Sequence, residues 1–391
     1  MAGSERITRQ RSHKHFWFAL HGWMALPIWG LLAFICVTGT ICVVSEEINW
    51  LLTPESRAEN PHQTEPLPYD TLIAVVKKSY PEAAIQSIHI TQPYLATLIR
   101  ISLPDDRKAL YVNQFTGEVQ GEVKGTGFRG FIIALHGWLL FPWQNDYSLG
   151  WYLVTVLSIP LLGSVISGLI IFKHFYRVLY RPTLRLNMGS RVFWGDLHRL
   201  IAVWSIWFVI VISVSSLWFL AQGILTQNHV EIYPEKNRLS ADLIPETSNN
   251  RLPERMSADQ ASAIAKTIYP GLYVTFIEFP KNEDDTLLIQ GTTVFSLFRD
   301  NANAINLNPY NGDVISVRGT KNLSLIQFIS ALLTPLHFGD FAGLTVKLIW
   351  FSFGCLVSTL VCSGFIIWTK RTVISLKSAS RLHKFNGDST H

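Results

Sequence analysis

The sequence predicts an α-helical membrane protein with four transmembrane helices and two α+β domains outside the membrane. Three observations predict this fold class. The chain of 391 residues is 48% apolar and only 16% charged, whereas soluble domains carry about 25% charged residues. Four apolar stretches are long enough to cross a bilayer, which takes about 20 residues. The two longest segments between these stretches resemble each other, which predicts an internal repeat.

The four apolar stretches each contain at least 22 consecutive residues without a charge. The first is too long for a removed signal peptide and lacks a small-residue cleavage site, so we expect it to be retained as a helix. The predicted transmembrane segments are residues 16–44, 149–172, 200–225 and 343–369.

Lys and Arg predict which loops face the cytoplasm. The loop 173–199 has six basic residues and one acidic residue, the tail 370–391 has five and one, and the arm 1–15 has four and one. The segment 45–128 has seven basic and eleven acidic residues. We therefore expect both termini and the middle loop to be cytoplasmic. The net charge of +5 then reflects this distribution, and we expect no nucleic-acid binding.

The two outer segments, residues 45–128 and 226–320, share one pattern. Each opens with an amphipathic helix that ends at Tyr-Pro, and each continues as alternating strands that close around a turn. The first contains YDTLIAVVKKSYPEA and ALYVNQFTGEVQGEV, and the second contains MSADQASAIAKTIYPG and AINLNPYNGDVISVRG. Each segment is predicted to be a helix packed on an antiparallel sheet.

The membrane segments repeat as well. Three pairs of similar stretches are LHGW with LHRL, ALHGWLLFPW with LLTPLHFGDF, and SGLIIFKHF with SGFIIWTKR. Interfacial helices are predicted at residues 129–143 and 321–339. The order of helix, outer domain, interfacial helix and helix thus occurs twice, and both copies start on the same side. This predicts a parallel repeat with a pseudo-two-fold axis along the membrane normal.

Four histidines occupy equivalent positions in this repeat. His21 and His198 lie at the cytoplasmic ends of helices, and His136 and His337 lie on the outer side. A two-fold axis would bring each pair together at one depth. Ionisable residues at such positions usually mark a functional site.

Four roles compete for these histidines: haem ligands, Zn²⁺ ligands, a proton relay, or hydrogen bonding to headgroups and backbone. Zinc prefers four ligands, and the apolar helices offer no supporting carboxylate. The absence of intramembrane Asp and Glu also disfavours a proton relay. Two imidazoles on facing helices can bind one haem iron axially. We therefore favour two haem b groups, one near each surface. His174 could be an additional or replacement ligand of the inner haem.

Aromatic and glycine residues near the four histidines agree with a haem role. The aromatic rings could stack on a macrocycle, and the glycines leave room for one. The aromatic residues are Trp23, Trp138, Trp204 and Phe338, and the glycines are Gly22, Gly137 and Gly339.

The stretches LHGWMALPIWGLLAFICVTGT, GDLHRLIAVW, TPLHFGDFAGL and EEINWLLTPESR resemble the PepSY-associated transmembrane proteins, also called iron-regulated membrane proteins. The outer segments are similar to PepSY domains. Some members are bacterial inner-membrane ferric-siderophore reductases of the ferrioxamine reductase type, with two haems. The resemblance implies electron flow from a cytoplasmic or quinol donor to a periplasmic ferric siderophore, because a hard oxygen chelator holds Fe²⁺ less tightly. The family histidines correspond to His21, His136, His198 and His337.

The resemblance also gives the outer domains a role, because their cleft could present the chelate to the outer haem. Tyr94, Phe295 and Phe298 are candidates for lining that cleft. Two alternatives remain open: a permease for a siderophore or peptide, and a PepSY interaction or sensor module.

Overall fold

The computed structural model describes residues 15–24, 26–233, 238–245, 254–293, 297–298 and 302–387, with side chains described as far as residue 372. Most of the predicted basic arm 1–15, together with Phe295, lies outside the described residues. The chain divides into two compact units. The membrane unit comprises Met1–Val43, Ile133–Ile224 and Lys347–His391, and the sheet unit comprises Val44–Ile132 and Leu225–Val346.

The described helices, in chain order, are α1 (His15–Val43), α2 (Ser45–Leu52), α3 (Tyr69–Ser79), α4 (Gly127–Trp138), α5 (Leu149–Thr155), α6 (Ser158–Ile171), α7 (Phe175–Tyr180), α8 (Ser190–Gln227), α9 (Ala258–Ile268), α10 (Leu325–Phe338) and α11 (Gly343–Gly387). The strands are β1 (Ala84–His89), β2 (Thr97–Ser102), β3 (Arg107–Val112), β4 (Val119–Glu122), β5 (Leu272–Glu278), β6 (Leu287–Thr293), β7 (Ala304–Leu307) and β8 (Val314–Arg318).

Among the described residues, four helical spans are long and apolar enough to cross a membrane. They are His15–Val43, Leu149–Ile171, Ser190–Gln227 and Gly343–Thr372. Many of their large apolar side chains are exposed, Phe34, Ile166 and Trp204 among them. This is the pattern expected of helices that face lipid, since there the solvent is itself apolar.

The membrane helices differ from the predicted segments at several ends. Helix α8 begins at Ser190, ten residues before the predicted membrane segment, so the end of the predicted cytoplasmic loop is helical. Helix α11 continues to Gly387, so most of the predicted tail is helical too. The second span breaks between α5 and α6. Pro160 causes this break, because its ring has no N–H and collides with the carbonyl of Val156, four residues earlier.

The sheet unit contains one eight-stranded antiparallel sheet in the order β4-β3-β2-β1-β5-β6-β7-β8. The sequence predicted a separate sheet in each outer segment, but β1 pairs directly with β5 and joins them. Ile88 lies opposite Ile277 in this pairing. Periodicity within each segment predicts strands but not which strands of distant segments pair, so the continuous sheet could not be predicted.

Helices α3 and α9 pack against this sheet and share one apolar core with it. Leu72 and Val76 of α3 are buried there, as are Ala261 and Ala265 of α9. The buried strand residues are mainly Ile, Leu and Val, such as Ile99 and Ile289. Branched side chains at alternating strand positions favour such a half-buried sheet.

The N-terminal ends of α3 and α9 hold each other through two aspartates. The Asp259 carboxylate accepts hydrogen bonds from the backbone N–H groups of Tyr69 and Asp70, both at 3.0 Å. The Asp70 carboxylate accepts one from the N–H of Ala258, also at 3.0 Å. Each aspartate therefore satisfies backbone donors at the start of the other helix, which have no partner within their own helix.

Candidate functional site

The structure brings His21 and His198 together inside the membrane unit. His21 lies on α1 and His198 on α8, and their ring centroids are 6.4 Å apart with the ring planes at 85°. Helix α1 supplies one ring and α8 the other, as the sequence alignment of LHGW with LHRL predicted. The two rings approach edge to face.

His21 is held by helix α6. Its Nδ1 lies 3.1 Å from the carbonyl oxygen of Ser164 and 3.0 Å from the Oγ of Ser167. A carbonyl oxygen can only accept a hydrogen bond, so we assign the proton of the neutral ring to Nδ1. The Nε2 atom of His21 is then the unprotonated nitrogen.

His198 is held in the same way by helix α11. Its Nδ1 lies 2.9 Å from the Oγ of Ser363. We assign the hydrogen of the Ser363 hydroxyl to the carbonyl of Leu360, which lies at 2.8 Å, so that its oxygen accepts from Nδ1–H. This again makes Nε2 the unprotonated nitrogen.

His136 on α4 is bound to helix α1. Its Nδ1 lies 3.1 Å from the carbonyl oxygen of Ile35 and 3.3 Å from the Oγ1 of Thr38. The Thr38 hydroxyl donates to the carbonyl of Phe34 at 2.9 Å, so Nδ1 again carries the proton. Burial lowers the pKa of His136 to about 4, and the bond to the Ile35 carbonyl only partly offsets this effect. The ring is therefore neutral, which is the form that binds a metal.

A hydroxyl residue followed by glycine faces each of these three rings. Gly168 and Gly364 would place a Cβ 3.5 Å and 3.4 Å from the Cε1 of His21 and His198. At Gly39 a Cβ would lie only 2.6 Å from the Cε1 of His136, so this contact requires glycine. These residues were not predicted as part of a site from the sequence. The signal was present as the dipeptides Thr-Gly and Ser-Gly inside apolar helices.

The remaining predicted residues lie elsewhere. His337 is on α10 in the sheet unit, with its ring 5.7 Å from that of Phe338. Since His136 and His337 fall in different units, their pairing stays a prediction. His174 is exposed and precedes the short helix α7. Trp23, expected to flank the inner pair, is 73% exposed.

The inner pair fits a haem iron by its donor chemistry. A haem iron would take Nε2 from each ring, the nitrogen that both hydrogen-bond arrangements leave unprotonated. The 6.4 Å separation of the ring centroids brings both rings to one site. Hydrogen bonding of Nδ1 to a carbonyl or hydroxyl is also the usual outer contact of a ligating histidine, since it fixes the tautomer and the ring orientation. Within the described part of the chain, no group of three or more His, Cys, Asp or Glu side chains could hold a metal ion.

An ion cluster around a buried carboxylate lies two residues before His198. Asp196 is 4% exposed. Its carboxylate accepts from the Arg185 side chain at 2.8 and 2.9 Å, from the Arg185 backbone at 3.2 Å, and from Arg199. These contacts hold the loop before α8 against the helix start. The cluster thereby restrains the segment that carries His198.

The four apolar spans define this chain as a multi-pass membrane protein. The sheet unit is an antiparallel sheet with helices. In the membrane unit, histidines held through Nδ1 lie among the apolar helices.

The chain belongs to a known family: the model of the PepSY-associated TM region matches residues 18–371, nearly the whole sequence. This confirms the family resemblance predicted from the sequence motifs. No curated protein was found to match the chain.

Proposed function

We propose that this protein is a di-haem reductase of the bacterial inner membrane. It passes electrons from a cytoplasmic or quinol donor to a ferric siderophore in the periplasm, and Fe²⁺ leaves the chelator. The observation that carries the proposal is the inner histidine pair. Its rings come from the two halves of the chain, lie 6.4 Å apart between their centroids, and keep Nε2 unprotonated.

In this proposal the chain's residues hold and orient the two cofactors. His21 and His198 bind the inner haem b through Nε2, while Ser167 and Ser363 hold the opposite nitrogen of each ring. His136 and His337 bind the outer haem b. His174, exposed three residues after the end of α6, remains the additional or replacement ligand. A bound haem would supply reversible one-electron transfer.

The parallel repeat is part of the proposal, and the sheet register supports it. Ile88 lies eight residues after Tyr80, and Ile277 lies eight residues after Tyr269. These equivalent residues of the two segments face each other in the β1–β5 pairing. A two-fold axis between the segments would produce this register. With both halves starting on one side, the excess of Lys and Arg in residues 173–199 and 370–391 favours cytoplasmic termini and a periplasmic sheet unit.

The first test is a haem count on the purified full-length protein. We expect two haems per chain by pyridine haemochrome, with sharp α-bands on reduction. His21→Ala and His198→Ala should each remove about one haem, and His136→Ala and His337→Ala should each remove the other. His62→Ala is the matched control, because His62 is exposed in the sheet unit, and it should keep both haems. A protein without haem after expression with ample haem supply would refute the proposal.

The second test separates the reductase from a permease. Reduced protein in vesicles should convert a ferric hydroxamate chelate to Fe²⁺, trapped by a ferrous-specific dye, and His198→Ala should abolish this reaction. Uptake of the redox-inert gallium chelate that depends on the protein, with unchanged iron reduction in the variant, would favour the permease.

A further inference from the structure

The segment between α6 and α8 has a composition that the proposed redox function does not use. We call residues 173–189 the basic loop. It starts two residues after α6 ends at Ile171 and ends where α8 begins at Ser190. Because the chain leaves one membrane-spanning helix and enters another within this distance, the basic loop must stay next to the bilayer surface.

The basic loop presents positive charges that lack carboxylate partners. Lys173, Arg177 and Arg181 are exposed and form no ion pair with any residue in the described ranges. The carboxylate nearest in sequence is Asp196, which is buried and already bound by Arg185 and Arg199. An anionic partner from outside the chain would match these three charges.

Large apolar side chains alternate with these cations. Tyr180 is 78% exposed, Leu186 is 68% exposed, and Tyr176 and Met188 are similarly open. An exposed apolar patch of this kind is costly in water and usually marks a binding surface. Amphipathic segments with Arg or Lys on one side and aromatic or aliphatic residues on the other lie in the headgroup region of membranes.

We propose that the basic loop is a binding site for anionic phospholipid of the adjacent leaflet. The phosphate groups pair with Lys173, Arg177 and Arg181, and the apolar side chains enter the acyl boundary. An acidic soluble protein would also match the charges. It would not explain why leucine, methionine and tyrosine side chains are exposed beside a membrane. The proposal rests on the four membrane spans and not on the haem.

The test compares lipid binding by the full-length protein in detergent. Native mass spectrometry would count bound phosphatidylglycerol against phosphatidylcholine for the wild type and for Lys173→Gln/Arg177→Gln/Arg181→Gln. The matched control Arg100→Gln/Arg107→Gln/Lys124→Gln removes the same charge from exposed positions of the sheet unit. We expect the loop variant to lose preference for phosphatidylglycerol by on the order of tenfold or more, and the control to retain it. Leu186→Ser/Met188→Ser should weaken the binding of both phosphatidylglycerol and phosphatidylcholine.

Three outcomes would overturn the proposal. The first is unchanged phosphatidylglycerol preference in the loop variant. The second is an equal loss in the loop variant and the control, which would indicate net charge alone. The third is the first result together with loss of polyglutamate binding by the loop variant. Polyglutamate is the probe for an acidic protein, so this result would identify such a protein as the partner instead. Haem content, measured on the same samples, reports separately on the proposed reductase.

Discussion

Each unit of this protein brings together two titratable side chains from the two halves of the chain. In the membrane unit these are His21 and His198, and in the sheet unit they are Asp70 and Asp259. Both pairs occupy equivalent sequence positions, yet they use their hydrogen-bonding atoms differently. The carboxylate oxygens of both aspartates accept hydrogen bonds from backbone N–H groups. Each histidine forms hydrogen bonds only through its Nδ1 atom.

This difference separates a structural pair from a candidate functional pair. The Asp259 carboxylate accepts two backbone bonds and the Asp70 carboxylate one. These bonds stabilise two helix ends, and a cap of this kind contributes about 1 kcal/mol. Each histidine of the other pair is fixed through one nitrogen and keeps the other unprotonated. A rigid ring with an unprotonated nitrogen is suited to bind a metal, because the ring needs no reorganisation on binding.

The largest expected effect comes from Gly39→Ala. This substitution tests whether the His136 ring also depends on a hydrogen bond to its Nδ1 atom. A Cβ at Gly39 would lie 2.6 Å from the Cε1 of His136 and 3.1 Å from its Nδ1. The ring must move, and its bond to the Ile35 carbonyl must lengthen or break. We expect a cost of about 2 kcal/mol and loss of most of the haem that depends on His136, measured by the reduced α-band.

The same substitution at the inner pair is the control for Gly39→Ala. At Gly168 and Gly364 a Cβ would meet the neighbouring histidine at 3.5 and 3.4 Å, which is ordinary van der Waals contact. Gly168→Ala and Gly364→Ala should therefore keep two haems. Equal losses at all three glycines would show that helix packing, not ring position, determines haem content.

A smaller effect is expected from Ser363→Ala, which removes the outer contact of one ring in the inner pair. His198 loses the 2.9 Å bond between its Nδ1 and the Ser363 hydroxyl and keeps a backbone contact with Leu360, and outer contacts of this kind change metal affinity by on the order of tenfold. Ser167→Ala is the matched comparison, because His21 likewise keeps its bond to the Ser164 carbonyl at 3.1 Å. Haem dissociation to excess apomyoglobin should be faster in both variants than in the wild type. An unchanged rate in both would contradict the role of the serine contacts.

Much of the fold could be predicted from the sequence because hydrophobicity acts locally. Charge-free stretches of 22 or more residues predicted four membrane spans, and the described part of the chain has four helices long and apolar enough to cross a membrane. The Tyr-Pro signal also predicted where two helices stop, since α3 ends at Ser79 and α9 at Ile268, one residue before each tyrosine. Repeated LH motifs placed His21 and His198 at matching helix positions.

The remaining features depend on contacts between residues far apart in the chain. Ser167 is 146 residues from His21, and Ser363 is 165 residues from His198, and no local pattern predicts such a bond. In sequence, Asp70 and Asp259 are simply acidic residues in the first turns of two separate helices. Only the β1–β5 pairing, which joins the outer segments in one sheet, brings those helix ends together.

The smallest predicted effect concerns the aspartate pair and its dependence on pH. Burial raises the pKa of Asp259, the N–H groups of Asp70 and Tyr69 lower it, and the neighbouring Asp70 carboxyl raises it, with a net rise above the ordinary value of 3.8. The folded protein therefore binds this proton more tightly than the unfolded chain. The stabilisation from protonated Asp259 is fully present below 3.8 and is lost as the pH rises through the raised value.

Asp70→Asn should remove this repulsion while keeping the bond to the Ala258 N–H, because an amide oxygen also accepts. We expect a gain of about half a kcal/mol at neutral pH, small because both carboxylates are partly solvated. The gain should vanish at a pH below 3.8, the ordinary value, where Asp259 is already protonated in the wild type. Urea unfolding of the full chain, followed by circular dichroism, measures both. Asp70→Ala is the control: it removes the acceptor as well and should destabilise at both pH values. If Asp70→Asn raised the free energy of unfolding equally at both pH values, repulsion between the two carboxylates could not be the cause of the gain. The aspartate pair would then differ from the histidine pair only in its hydrogen bonds to the backbone.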